Sequence, residues 1–316
     1  MINRLTDNAL RMQNHFHTIL IFVGMVALLS AIGLLFGGAP GALFAFFMVI
    51  FSLVITPRLS PSLLLKIYGA QALSPYDVPG VYEAVQELSA RAGLKSMPDI
   101  YYLPSPVVNS FTIGEPNEAK IILSDGLFRL LDSREMLGVL AHEIGHIQNN
   151  DISVMGLADI MSRITSVMSL TGLIMLFVSM PLILINELPI SFLGILLLTF
   201  APNIAALLQM ALSRTREFSA DQRAAELTGD PLGLANALEK INWQEQHWAR
   251  RLLIPHYRLS EPSLLRTHPS SEERIKRLKV LAQIDDAHIT RELDIKSGRM
   301  PIPEKKPRHR IHGMWY

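Results

Sequence analysis

Cysteine is absent from all 316 residues, so the chain can hold no disulfide, no thiolate metal ligand and no cysteine nucleophile. Any metal it binds must be held by His, Asp or Glu. Charge is scarce as well: 18% of residues are charged and the net charge is +1. Without a concentrated basic face there is nothing to displace counterions from phosphates, which excludes nucleic acid as a partner. A 49% hydrophobic content and a mean hydropathy of +0.28 then take the chain out of the ordinary soluble class. The partner this composition calls for is the lipid bilayer.

No charged residue occurs from Thr18 to Pro57, a run of 40 residues broken near its middle by Gly37, Gly38 and Pro40. One helix needs roughly 20 apolar residues to cross the hydrocarbon, so the run predicts a transmembrane hairpin over 18–57 with a shorter second arm, Ala39 to Thr56. A cleaved signal peptide is the competing reading, but the run is too long and enters a second apolar stretch without a processing site. From Ile164 to Ser213 the one charged residue is Glu187, beside Pro189 and between two apolar blocks, which predicts a second hairpin over 164–213. Buried helices of a large soluble core are the alternative, and such helices seldom run uncharged for more than about 20 residues twice over. Basic residues (Arg4, Arg11, Arg58, Lys66, Arg163, Arg214, Arg216) flank the outer ends of both hairpins and are missing from the turns. The positive-inside rule places those flanks and both termini in the cytoplasm.

Between the hairpins, 58–163 forms the first part of a soluble region. Val81, Ala84, Val85, Leu88 and Ala92 make a helical stripe ended by Gly93, and Ile100–Leu103, Val107–Ile113 and Lys120–Leu123 have strand composition. A longer helix opens near Ser133, taken as its N-cap, and runs to about Asn150. After the second hairpin, 214–294 forms the second part, with helices over Thr215–Thr228, Pro231–Trp248 and Ser271–Gln283, the last capped by Ser271. A polar lead, 1–17, carries His15 and His17, and a basic flexible tail, 295–316, closes the chain.

His142-Glu143-Ile144-Gly145-His146 places two histidines four apart on the long helix, so both imidazoles point to one side and can share an ion. Zinc suits imidazole nitrogen, and a catalytic site combines three protein ligands with one water. Glu143 lies beside that water as general base. The competing reading is an amphipathic surface helix with two solvated histidines. A third ligand is expected at Glu217, with Asp221 one turn on as hydrogen-bond acceptor for a ligand histidine, although a solvated E-x-x-x-D pair is as common. Topology favours the ligand: Glu217 follows His146 by 71 residues that cross the membrane twice and return to the side they left.

These residues, the two hairpins, the Ser213–Asp221 run and Thr267-His268-Pro269-Ser270 followed by Arg274 together resemble HtpX-type membrane proteases, relatives of the prenyl-protein protease. The resemblance implies a mainly α membrane protein: four transmembrane helices in two hairpins plus a cytosolic gluzincin metalloprotease domain with a small β-sheet. It implies one Zn²⁺ per chain on His142, His146 and Glu217, Glu143 as base and His268 as a donor to the developing oxyanion. Asn109 and Ser110 fall where the family places an edge strand that pairs with extended substrate, though a plain turn-flanking strand fits them equally. Ser110 stands where the family usually has alanine, and Phe218 replaces the usual tyrosine. The implied substrates are unfolded or membrane-protein chains, cut at the bacterial inner membrane in a stress-linked quality-control role. A processing protease of the prenyl-protein type, a metal-binding scaffold without proteolysis and a homo-oligomeric assembly all stay open.

Overall fold

The computed structural model describes residues 2–55, 61–181, 192–251 and 271–285. It divides into two compact units, one of Met1–Arg58 and Ser153–Thr215, the other of Leu59–Ile152 and Arg216–Tyr316.

The first unit is helical. Helical conformation runs through α1 (Ile2–Ile55), yet the chain reverses within it at Gly38, whose φ of 61° lies in the left-handed region that glycine adopts without strain. The reversal brings Gly33 against Gly41 so closely that a Cβ on Gly33 would lie 2.9 Å from Ala45 Cβ. In a straight helix residues 12 apart lie about 18 Å from each other, so α1 is two antiparallel arms whose backbones touch. Among the described residues this unit also holds α6 (Asp151–Val178) from Ser153 on and α7 (Phe192–Thr228) as far as Thr215. Here Met25 and Leu29 pack with Ala158, Met161 and Leu212, and Leu28 and Ile32 pack with Leu198, Ala201 and Ala205.

Among the described residues, three helices are long and apolar enough to cross a membrane: Phe16–Leu35, Asp151–Val178 and Phe192–Thr228, with Gly38–Met48 a shorter apolar helix. Their outer faces expose Phe44, Phe47, Leu170, Phe177, Leu193 and Leu207, which water would penalise and hydrocarbon would not. Pro202 is accommodated inside α7, as membrane helices often allow. The turn expected around Glu187 lies outside the described residues, as does the tail after 295.

In the second unit, α2 (Pro61–Tyr68), β1 (Gln71–Ala72) and α3 (Pro79–Ala92) lead into β2 (Asp99–Leu103), β3 (Ser110–Ile113) and β4 (Lys120–Ser124). The sheet order is β1-β2-β4-β3, with β2 and β4 parallel and the other pairs antiparallel, so β3 is an edge. Then follow α4 (Asp125–Leu130), α5 (Ser133–Gln148), α8 (Pro231–Arg251) and α9 (Ser271–Asp285). Helix α5 is buried along almost its whole length, in a core that includes Val85, Leu88, Ile121, Leu127, Phe128, Leu140, Ile144 and Leu278.

Several boundaries differ from expectation for physical reasons. Asp132, not Ser133, caps α5, because its carboxylate accepts from the Glu135 N–H while Glu135 answers the Asp132 N–H in a capping box. The helix expected to begin at Thr215 is the end of α7, since no breaker separates Leu212 from Thr228, and Gly229 at φ 67° ends it as expected. The strand expected from Val107 starts at Ser110.

Candidate metal centre

Two elements of the second unit build the site. Helix α5 carries His142, Glu143 and His146, and the last three turns of α7 carry Glu217 and Asp221. Gly145 lets them meet: a Cβ there would lie 3.2 Å from the Ala220 carbonyl oxygen and 3.3 Å from Ala220 Cα, so the contact has no room for a larger side chain.

The two histidines present their Nε2 atoms to each other at 3.0 Å. Glu217 Oε2 lies 3.4 Å from His142 Nε2, and its Oε1 lies 3.6 Å from His146 Nε2. All three donors fall within 4.8 Å of one another, the geometry of a group that could hold a metal ion. A tetrahedral ion with bonds of about 2.0–2.1 Å needs donors about 3.3 Å apart, close to the separations found here.

Charge gives an independent test. Glu143, Asp151, Glu217 and Asp221 are buried at this site together with Arg216 and Arg274. With both imidazoles neutral, as metal ligation requires, and the other groups ionised, four carboxylates face two guanidinium groups and two negative charges remain, which a divalent cation would balance.

Each histidine is held from behind by a carboxylate. His142 Nδ1 lies 3.0 Å from Asp221 Oδ1, and His146 Nδ1 lies 2.7 Å from Asp151 Oδ2, a residue that nothing in the motif spacing singled out. Such contacts fix the ring orientation and leave Nε2 for a metal. Asp151 reaches back because Asn150, in the left-handed region at φ 55°, turns the chain sharply between α5 and α6. A carboxylate five residues past the second histidine, just after an Asn-Asn pair, was the available signal. Asp151 is in turn ion-paired to Arg216, whose Nη2 also donates to the Asn149 carbonyl at 3.0 Å.

Arg274 of α9 completes the buried cluster. Its Nη1 lies 2.8 Å from Glu217 Oε2, while Nε and Nη2 grip Asp221 at 2.7 and 2.6 Å. Burial and the Arg274 charge act to lower the His142 pKa, but the contacts with Asp221 and Glu217 outweigh them and raise it to about 9. Arg277, one turn on, lies over the Phe218 ring at 3.6 Å, stacking α9 on α7 beside Glu217.

Glu143 is 2% exposed and accepts from Ser110 Oγ and Thr112 Oγ1. Ser110 is thus turned to the carboxylate, and Asn109 pairs through its backbone with Ser124. His268 lies outside the described residues.

A family model described as Peptidase family M48 matches residues 77–282. The "Protease HtpX homolog" of Sulfurihydrogenibium sp. (strain YO3AOP1) is 35% identical over 289 residues, covering 86% of this chain and 97% of that protein. Those of Desulfatibacillum aliphaticivorans and Paraburkholderia phytofirmans (strain DSM 17436 / LMG 22146 / PsJN) are 34% and 35% identical, covering 84% and 86% of this chain and 89% and 98% of theirs. Among solved structures, S. mikatae Ste24p matches at 20% identity with a TM-score of 0.38, covering 85% of this chain and 66% of that one.

Proposed function

This integral membrane chain belongs to peptidase family M48, and from that premise we propose that it is a zinc endopeptidase whose metal is held by His142, His146 and Glu217. The observation that carries the reading is the meeting of three donor atoms from helices 71 residues apart, backed by four buried carboxylates against two buried guanidinium groups.

Zinc bound there would supply Lewis acidity, polarising a carbonyl and lowering the pKa of a bound water to about 7. The rest of the chemistry belongs to the chain's own residues. Glu143 takes a proton from the attacking water as the water oxygen bonds to the scissile carbonyl carbon. It then gives that proton to the amine as the carbon–nitrogen bond breaks, so no acyl-enzyme forms. Asp221 and Asp151 hold the two imidazoles at the angle that presents Nε2. Arg274 screens Glu217 and Asp221 from each other, and His268 is assigned to the developing oxyanion by resemblance alone.

The proposed topology has four membrane crossings in two hairpins, supported by the nearly uncharged runs 18–57 and 164–213, with the termini and the site in the cytoplasm, supported by Arg4, Arg11, Arg58, Lys66, Arg163 and Arg214 at the hairpin ends. Arg216 contributes little to that count, because Asp151 already binds it in the interior. The proposed substrates are unfolded membrane proteins cut at cytosolic segments, in the quality-control role that the HtpX likeness suggests.

The test is cleavage of an unfolded reporter by the purified chain in detergent. Activity abolished by a chelator and restored by zinc supports the reading. Full activity in the chelated protein contradicts it. A panel setting denatured membrane proteins against lipidated peptides separates quality control from prenyl-type processing.

A further inference from the structure

The Glu143 carboxylate is held on both oxygens at once. Ser110 Oγ donates to Oε1 and Thr112 Oγ1 donates to Oε2, each at 2.7 Å. The symmetry comes from the strand: residues two apart project to the same face, so the hydroxyls at 110 and 112 form a pair of teeth. Their spacing is fixed by the β3–β4 ladder, where Ser110 faces Leu123 and Thr112 faces Ile121.

We propose that Ser110 and Thr112 are positioning residues, two hydroxyls on an edge strand that lock the general base in the orientation for proton transfer. The proposal rests on the reading of Glu143 as that base. An ionised carboxylate offers about four lone-pair sites, so one bond to each oxygen leaves one or more free on each for water. Twisting the group about its last bond breaks both contacts together, which a single hydroxyl could not enforce. The clamp also restrains the carboxylate from swinging toward Arg274, whose charge acts on it through space. A hydrogen bond to a charged group contributes enough to change a rate about tenfold when it orients the reacting atom.

The experiment compares Ser110→Ala, Thr112→Val and the double variant in the full chain in detergent. It reads kcat, KM, zinc per chain and melting temperature. Each single change is expected to lower kcat about tenfold and the pair about a hundredfold, with KM and zinc unchanged. Ser110→Thr and Thr112→Ser, which keep the hydroxyl, should stay within about threefold of wild type. Wild-type kcat in the double variant overturns the proposal, and so does an equal loss in the hydroxyl-keeping pair. A second readout needs no cleavage: Ser110→Ala should lower the melting temperature of the wild-type chain but not of Glu143→Ala. Equal lowering in both backgrounds overturns the contact itself. Retained cleavage in Glu143→Gln is a separate result that sinks the general-base reading while these melting temperatures still report on the clamp.

Discussion

Asp151→Asn separates two jobs that one buried carboxylate performs. Asp151 is 3% exposed and stands between Arg216 and His146 Nδ1, with the histidine contact at 2.7 Å. The amide is nearly isosteric, so packing survives but the negative charge does not. Arg216, itself 5% exposed, then keeps a buried charge met only by neutral acceptors such as the Asn149 carbonyl, and leaving one charge of a buried pair uncompensated costs up to about 3–5 kcal/mol. His146 exchanges the anionic acceptor that orients its ring and raises its basicity for at most a neutral amide oxygen, which costs metal affinity about 10- to 100-fold, equivalent to about 1.4–2.8 kcal/mol. The two effects part company in Asp151→Asn/Arg216→Met, which removes both charges and fills the space. Thermal melts of the metal-free chain should show the stability largely recovered in the double variant, while competitive zinc titration against a chelator should show affinity still reduced. Wild-type zinc affinity in Asp151→Asn would refute the assignment to His146, and a double variant no more stable than the single would refute the charge argument.

Gly145→Leu should separate α7 from α5, because even a Cβ sits 3.2 Å from the Ala220 carbonyl oxygen; zinc retention on a desalting column should fall below one-tenth of wild type, whereas Gly156→Ala, at a position with open space, should leave it unchanged. Asp230 is expected to govern a small acid-sensitive share of stability. Burial pushes its pKa up, but the Arg134 pair and backbone donors at the start of α8 outweigh that and hold it below the usual value near 3.8. A depressed pKa stabilises above about 3.8 and the benefit fades as pH falls through the lower folded value, so Asp230→Asn should melt earlier than wild type at pH 7 and converge with it below about pH 4. Arg134 is more than half exposed, so the effect should stay under about 1 kcal/mol, and a difference independent of pH would contradict the pairing.

The parts of this fold that could be read from the chain were those set by local chemistry. Gly93 and Gly229 end helices where a left-handed residue is needed, and the glycine-proline break near Gly38 reverses α1. The motif spacing on α5 and the i, i+4 pair on α7 singled out His142, His146 and Glu217, whose donor atoms the fold brings within 4.8 Å of one another, because helical periodicity decides which side chains share a face. What depended on tertiary contact was not legible. Ser133 and Asp132 are both good caps, and only the reciprocal bond with Glu135 chooses between them. Asp151 lies at a helix start, where an acidic residue is ordinary, and its meaning comes from the turn at Asn150. Arg216 looked like one more basic flank of a membrane helix, yet its partners lie 65 and 67 residues away. Ser110 is expected on an edge strand that pairs with extended substrate or on a plain turn-flanking strand, and the contact of its hydroxyl with Glu143 depends on the register of β3 on β4.

The most direct test of the account is zinc per chain measured beside cleavage for wild type, Glu143→Gln and Glu217→Ala. The expected pattern is one zinc in wild type and in Glu143→Gln, cleavage in wild type alone, and loss of both in Glu217→Ala. Stoichiometric zinc bound at wild-type affinity by Glu217→Ala, or undiminished cleavage by Glu143→Gln, would contradict it.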